Sequence, residues 1–315
     1  MWDCLLLNEG KVSAPHSPHR EINWLWSYLV VSFIWGFSFL FMKVGLDSFS
    51  PFQVAFLRIA LGAVVLLIIV FLRRVKLPRD RTLWFHTFVV GFLLNALPWS
   101  LYCFGEQRVS SSLAGILNAA TPLFTVIIAP LMIASEKPSQ RRVFGLGISF
   151  IGVITVFGVW SGGISGDATG ALLCLGAPLC YGVGSSYVRK YISNKLGILE
   201  QSVMQLICAS LVLVPFEIVF YEAPHDLTIS PILAILALGI LGSGLANLMM
   251  NVIYRDAGPT VASTVTYVIP IISTSAGVLI LKENVAFHEV IGAAVIISGL
   301  LLTQQRAKRA SQALS

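Results

Sequence analysis

Ten stretches of this 315-residue chain are apolar for long enough, or nearly so, to cross a lipid bilayer. That repetition constrains the fold more than any single motif. The stretches run roughly 24–45, 52–72, 82–104, 110–134, 143–160, 169–189, 200–220, 231–254, 260–281 and 286–304; a helix needs about 20 residues to span the hydrocarbon. Connections are mostly under a dozen residues, so consecutive helices should be antiparallel neighbours, and no segment remains for a separate soluble domain. Composition agrees. Hydrophobic residues make up 56% of the chain and charged residues 11%, against roughly 25% charged in an average soluble domain. Such a chain cannot build a polar surface, and lipid is the solvent that tolerates its absence. The expected class is an all-α integral membrane protein of ten transmembrane helices.

The net charge of +6 could suggest nucleic acid, but the basic residues lie almost wholly between apolar runs, where they carry topology information. With the N-terminus inside, the inner set holds Lys11, Arg20, Arg73, Arg74, Lys76, Arg79, Arg81, Lys137, Arg141, Arg142, Arg189, Lys190, Lys195, Arg255, Arg306, Lys308 and Arg309. The outer set holds only Arg108 and Lys282, a count of 17 against 2. Both termini are therefore expected on the cytoplasmic side, with residues 1–23 and 305–315 as tails. The first tail carries charges and prolines and only a three-residue apolar run, Leu5 to Leu7, too short for a signal peptide. Short loops, the positive-inside bias and the lack of an NxS/T site fit a bacterial inner membrane. Of five cysteines, Cys103, Cys174, Cys180 and Cys208 lie in apolar runs and read as small packing residues, as against Cys4 in the tail.

The chain also repeats itself. Trp35-Gly36 corresponds to Tyr181-Gly182, and Lys43 to Arg189, at an offset of 146; Ala114 and Pro122 match Ala262 and Pro270 at 148; Glu136, Gly145 and Gly152 match Glu283, Gly292 and Gly299 at 147. A nearly constant offset through separate helices points to an internal duplication, 24–160 and 169–304, of five spans each. An odd number of spans makes the second copy enter the membrane from the opposite side. Two copies in opposite orientations can exchange conformations, so that one central site opens to each side in turn. A transporter uses that geometry, and a scaffold gains nothing from it.

WGFSF at Trp35–Phe39, PFQVAFLR at Pro51–Arg58, SSLAGILNAATPLFT at Ser111–Thr125, its echo ASTVTYVIPIIS at Ala262–Ser273, and the glutamates Glu136 and Glu283 together resemble the EamA-type family of the drug/metabolite transporter superfamily. The likeness covers both halves. It implies a two-fold pseudosymmetric helical basket around a central cavity, and transport, often export, of amino acids, related metabolites or drugs. The chain departs from the family at Tyr181, which stands where the first copy has Trp35, and at Ala134-Ser135 before Glu136.

No enzyme constellation is found. His288-Glu289 begins like a zinc-protease HExxH, but Gly292 stands where the second histidine would be. No phosphate-cradling loop is found either, and no cofactor or metal is expected. Polar residues within the spans are the candidates for a cavity lining. Asn95 precedes Pro98; Asn247 and Asn251 lie one turn apart on the eighth span; Asn118 and Thr121 precede Pro122, and Thr266 and Tyr267 precede Pro270. Proline removes a helix hydrogen bond and frees a backbone carbonyl near each group, and Trp35 and Tyr181 would supply aromatic walls. Interhelical hydrogen bonding or simple packing is the competing reading for each residue.

Ionisable groups in lipid are costly and so are functional candidates. Arg58 could bind an anionic substrate group, pair with Glu106 or Asp47, or snorkel outward. Lys43 reads as an interface anchor, and Glu106 or Glu217 as a possible proton-coupling group. The leading reading is a secondary carrier of small metabolites in a bilayer, with no nucleic-acid partner and with a homodimer left open. The alternatives are an organic-phosphate or nucleotide-sugar exchanger, for which Arg58 is the credible cavity cation, and a non-transporting scaffold or receptor.

Overall fold

The computed structural model describes the backbone of residues 18–133, 140–158, 167–193, 195–257 and 264–312, with side chains except at 18–23, 142, 251, 254, 255 and 303–312. Among the described residues there are helices and connections but no strand. In chain order the helices are α1 (Pro18–Gly45), α2 (Pro51–Leu72), α3 (Arg81–Glu106), α4 (Ser111–Met132), α5 (Gln140–Val156), α6 (Ala168–Tyr191), α7 (Ile198–Val219), α8 (229–256), α9 (Val265–Leu279) and α10 (Phe287–Gln312). Among the described residues, seven apolar helical stretches are long enough to cross a membrane, one in each of α1 to α4 and α6 to α8. Val143–Val156, Val265–Leu279 and Phe287–Leu302 are shorter apolar helices. The described residues of α5 and α9 number 17 and 15. Large apolar side chains face outward, Phe71 at 82%, Leu131 at 81% and Phe287 at 80% exposure, a surface that lipid covers at no desolvation cost.

The polar residues between apolar runs start the helices. Ser50 and Gln53 form a reciprocal capping box, with Pro51 in the first turn of α2. Asp80 accepts a hydrogen bond from the Thr82 N–H at 2.8 Å, and Ser110 accepts one from the Leu113 N–H at 3.1 Å. Asp167 caps α6 through the Thr169 and Gly170 N–H groups, at 2.8 and 3.2 Å. Each side chain satisfies donors that a helix start leaves without partners.

Helices approach closely where glycine removes the side chain. Gly36 of α1 lies directly on Ile272 of α9, and Gly182 of α6 on Phe124 of α4. Gly62 of α2 meets Ser243 of α8, and Gly91 of α3 meets Cys208 and Ala209 of α7. Between α5 and α10, Gly152 meets Ile296 and the Gly292 carbonyl, while Gly299 meets Ser149 and the Gly145 carbonyl. Ser149 also donates to the Ile296 carbonyl at 3.1 Å. The free cysteines Cys103, Cys174, Cys180 and Cys208 are buried.

Two helices depart from regular α winding. α3 is π-wound over Phe92–Ala96, and α8 over Ala237–Leu245. α4 is interrupted after Asn118 and resumes at Thr121. These irregular segments lie beside the buried polar cluster, and they set its geometry.

Candidate functional site

Arg58, in the second turn of α2, is fully buried. Its guanidinium lies over the Trp99 ring of α3, 3.4 Å from the ring centroid. Nε donates to the Ser243 hydroxyl of α8 at 3.3 Å, and Nη1 points at the Met42 sulfur of α1 at 3.3 Å. Nη2 is buried without a hydrogen-bond partner. No carboxylate among the described residues lies within ion-pair distance of it. The expected pairings with Glu106 or Asp47 are therefore absent, and so is the outward snorkel: Arg58 points into the bundle while Asp47 is exposed.

Trp99 is one side of an aromatic group. Its ring centroid lies 5.9 Å from Tyr102 and 6.3 Å from Tyr181 of α6, and Tyr102 and Tyr181 are 6.5 Å apart. Phe39 of α1 meets Tyr102 edge-on at 5.2 Å. The Tyr102 hydroxyl donates to Asn118 Oδ1 at 2.8 Å, which fixes the orientation of the buried amide. Pro122 has no N–H to offer the Asn118 carbonyl; the Thr121 hydroxyl donates to that carbonyl instead, at 2.8 Å. The carbonyl expected to be free is thus taken up locally.

The loose winding of α8 explains one further contact, and a second lies beside it. The Ala246 N–H bonds the Leu241 carbonyl, which leaves the Gly242 carbonyl without its α-helical donor. The Trp35 indole Nε1–H supplies one at 3.1 Å. One residue on, Asn247 Nδ2 donates to the Ser243 carbonyl at 2.6 Å. Asn247 therefore spends this bond on its own helix rather than on another span. Asn95, within the π-wound turn of α3, is buried and its Nδ2 has no partner. It lies one turn before Trp99.

The structure thus brings Arg58, Asn118, Thr121, Tyr181 and Trp35 around a core of Trp99, Tyr102 and Ser243. Those last three were not among the sequence candidates. Thr266 and Tyr267 occupy the first turn of α9, the tyrosine buried; nearby, the Thr264 hydroxyl donates to the Tyr28 hydroxyl of α1 at 3.1 Å. The Asn251 side chain and Glu136 lie outside the described residues.

Glu106 closes α3 about two turns past Trp99, fully buried, with neither carboxylate oxygen hydrogen-bonded. Lys43, expected as an interface anchor, instead donates to the backbone carbonyls of Glu106 and Val109. It belongs to a set of ties at one end of the bundle. Glu283, past α9, accepts from the Ser111 and Ser112 N–H groups and from the Ser112 hydroxyl at 2.8, 3.0 and 2.6 Å. Arg108 pairs with Asp167 at 2.9 Å, Ser48 donates to the Asp226 carbonyl at 3.1 Å, and Gln53 donates to the Glu222 carbonyl at 2.6 Å. The Arg108 hydrogen bond and the α6 N–H groups hold the Asp167 carboxyl below its ordinary value.

The profile of the EamA-like transporter family matches the chain twice, over residues 22–158 and 168–304. Similar curated proteins include the uncharacterised transporter YoaV of Bacillus subtilis, 24% identical over 86% of this chain and 93% of its own. The uncharacterised inner membrane transporter YedA of Escherichia coli is 27% identical over 85% and 86%. Protein PagO of Salmonella typhimurium is 26% identical over 88% and 91%. One crystal structure shares the fold with a TM-score of 0.66 at 18% identity, covering 90% of this chain and 97% of that one. These matches describe a transporter rather than an enzyme. Given two family matches that together span most of its length, the chain belongs to the EamA-like transporter family and is a multi-pass integral membrane transporter.

Proposed function

We propose that the protein is a secondary carrier, exporting small metabolites by alternating access between two inverted five-helix repeats, all ten helices crossing a bacterial inner membrane with both termini cytoplasmic. The observation that carries this reading is the exchange of contact partners between the halves. Shifted by the sequence offsets, Gly36–Ile272 becomes Gly182–Phe124, and Gly152–Ile296 becomes Gly299–Ser149. Gly91–Cys208 exchanges in the same way with Gly239–Leu61, and the π-wound stretches of α3 and α8 occupy matching places. Contacts that swap in this manner are those of a two-fold axis, and a repeat of five spans makes that axis lie in the membrane plane.

The buried cluster of Arg58, Trp99, Tyr102, Asn118 and Tyr181 lies where four spans of the first half meet α6 and α8 of the second. It is the best-placed substrate site. By the basic-residue count, the end laced by Lys43, Glu283 and the Arg108–Asp167 pair faces outward, which makes this conformation closed to the outside. The positive-inside bias and the naming of YedA as an inner membrane transporter support the membrane assignment.

The test is flux into proteoliposomes of a broad panel of labelled amino acids and metabolites, with and without a pH gradient. The expected result is saturable movement of at least one compound. Asn95→Ala and Asn247→Ala should retain membrane insertion, with Asn95→Ala the more damaging to flux because Asn247 already spends a bond on its own helix. Well-folded protein that moves no compound would remove the carrier reading.

A further inference from the structure

We propose that Arg58 receives a carboxylate of the cargo, and that the protein handles small monocarboxylates with an apolar body; this rests on the carrier reading above. The inference starts from an imbalance. A buried guanidinium ordinarily has a buried counter-ion, because an uncompensated charge in a low-dielectric interior is costly. Arg58 has none among the described residues. Its hydrogen bonds go to a neutral hydroxyl and a thioether, and Nη2 has no acceptor.

The arrangement is directional. Ser243 occupies Nε, and Trp99 covers a face of the guanidinium plane. What remains is the Nη1/Nη2 edge. A thioether is a weak acceptor, so the buried Met42 leaves Nη1 open to a stronger one. Two parallel N–H groups at that edge match the two oxygens of a carboxylate, the geometry in which arginine binds most strongly.

Asn95 adds a second buried donor without an acceptor, one turn before Trp99 on α3. Trp99, Tyr102 and Tyr181 form an apolar wall beside the charge. The ligand chemistry that fits is an anion joined to an apolar group. Charge count favours a monoanion over a phosphate dianion: Arg58 supplies one positive charge, and the nearby Lys43 ammonium is committed to the Glu106 and Val109 carbonyls. Such a carboxylate could belong to an amino acid or to a simple organic acid.

The test uses the full chain, purified in detergent, with intrinsic tryptophan quenching and thermal shift as readouts, followed by flux in proteoliposomes. The probes are phenylacetate, its neutral isostere phenylacetamide, L-phenylalanine, phenylethylamine and phenyl phosphate. Phenylacetate is expected to bind at least tenfold more tightly than phenylacetamide or phenyl phosphate, and phenylethylamine not to bind. If L-phenylalanine binds more tightly still, the carboxylate comes from an amino acid; if equally or less tightly, from a simple acid.

Arg58→Gln should abolish the preference for phenylacetate over phenylacetamide. Arg58→Lys, which keeps the charge but not the fork, should weaken phenylacetate at least fivefold. Equal binding of phenylacetate and phenylacetamide by the unaltered protein would overturn the proposal, a result that needs no variant to fold. Tighter binding of phenyl phosphate, or full carboxylate selectivity in folded Arg58→Gln, would do so too. Flux of neutral or cationic compounds without carboxylate selectivity leaves the carrier reading standing and removes this one. Selective carboxylate binding with no flux of any compound does the reverse.

Discussion

At Lys43 one ammonium serves a carbonyl at the end of α3 and one in the connection after it, donating to Glu106 and Val109 from the far end of α1. Hydrogen bonds to a charged group are each worth about 1.5–3 kcal/mol, and a helix end otherwise leaves its last carbonyls without donors. Lys43→Met should therefore lower unfolding stability by about 2–3 kcal/mol, while Lys43→Arg recovers part of the loss. Denaturation of the purified protein followed by circular dichroism measures both. Asp167 acts at the same end through a different dependence. Its carboxyl is held below the ordinary value, first by Arg108 and then by the start of α6. A depressed native value means that its contribution is present at neutral pH and disappears as pH falls through that value. Asp167→Asn should thus be less stable than the unaltered protein at pH 7, with the difference vanishing in strong acid, as read from melting temperature against pH.

At the scale of the helices, the glycine contacts are the part of the account most open to substitution. Gly36 and Gly182 each lie on a large side chain of a helix in the other half, Ile272 and Phe124. A bulky side chain at either position must separate the helices, and overpacking of that kind costs about 1–3 kcal/mol. Gly36→Leu and Gly182→Leu should therefore impair stability and flux to a similar degree, although they lie in different halves. If one is silent and the other is not, the two contacts are not equivalent. The helical class was readable in the sequence because apolar runs of span length have few other uses. Gly36 and Gly182 could be matched there by offset, but their partners could not, since the facing side chain depends on a helix far away in the chain. Trp99 and Tyr102 escaped for a related reason: an aromatic on an apolar face reads as packing until its neighbours are known. Arg58 stood out because charge in an apolar run is rare. Asn247 stood out as an amide in an apolar run, but its bond to the Ser243 carbonyl of its own helix leaves no mark in residue order.

For the whole molecule, the carrier proposed above takes the polar ties at one end and the buried cluster as a path shut to one side. On that proposal, two-fold exchange of contacts gives the opposite closed state, each half adopting the conformation of the other. A channel would not need this symmetry, and a receptor would not need the central site. The measurement that separates them most directly is counterflow in proteoliposomes loaded with an unlabelled compound that the flux panel identifies. Accumulation of external label above equilibrium, driven only by the outward gradient of unlabelled compound, is the expected result. Simple equilibration of label at a rate independent of the internal compound would contradict alternating access.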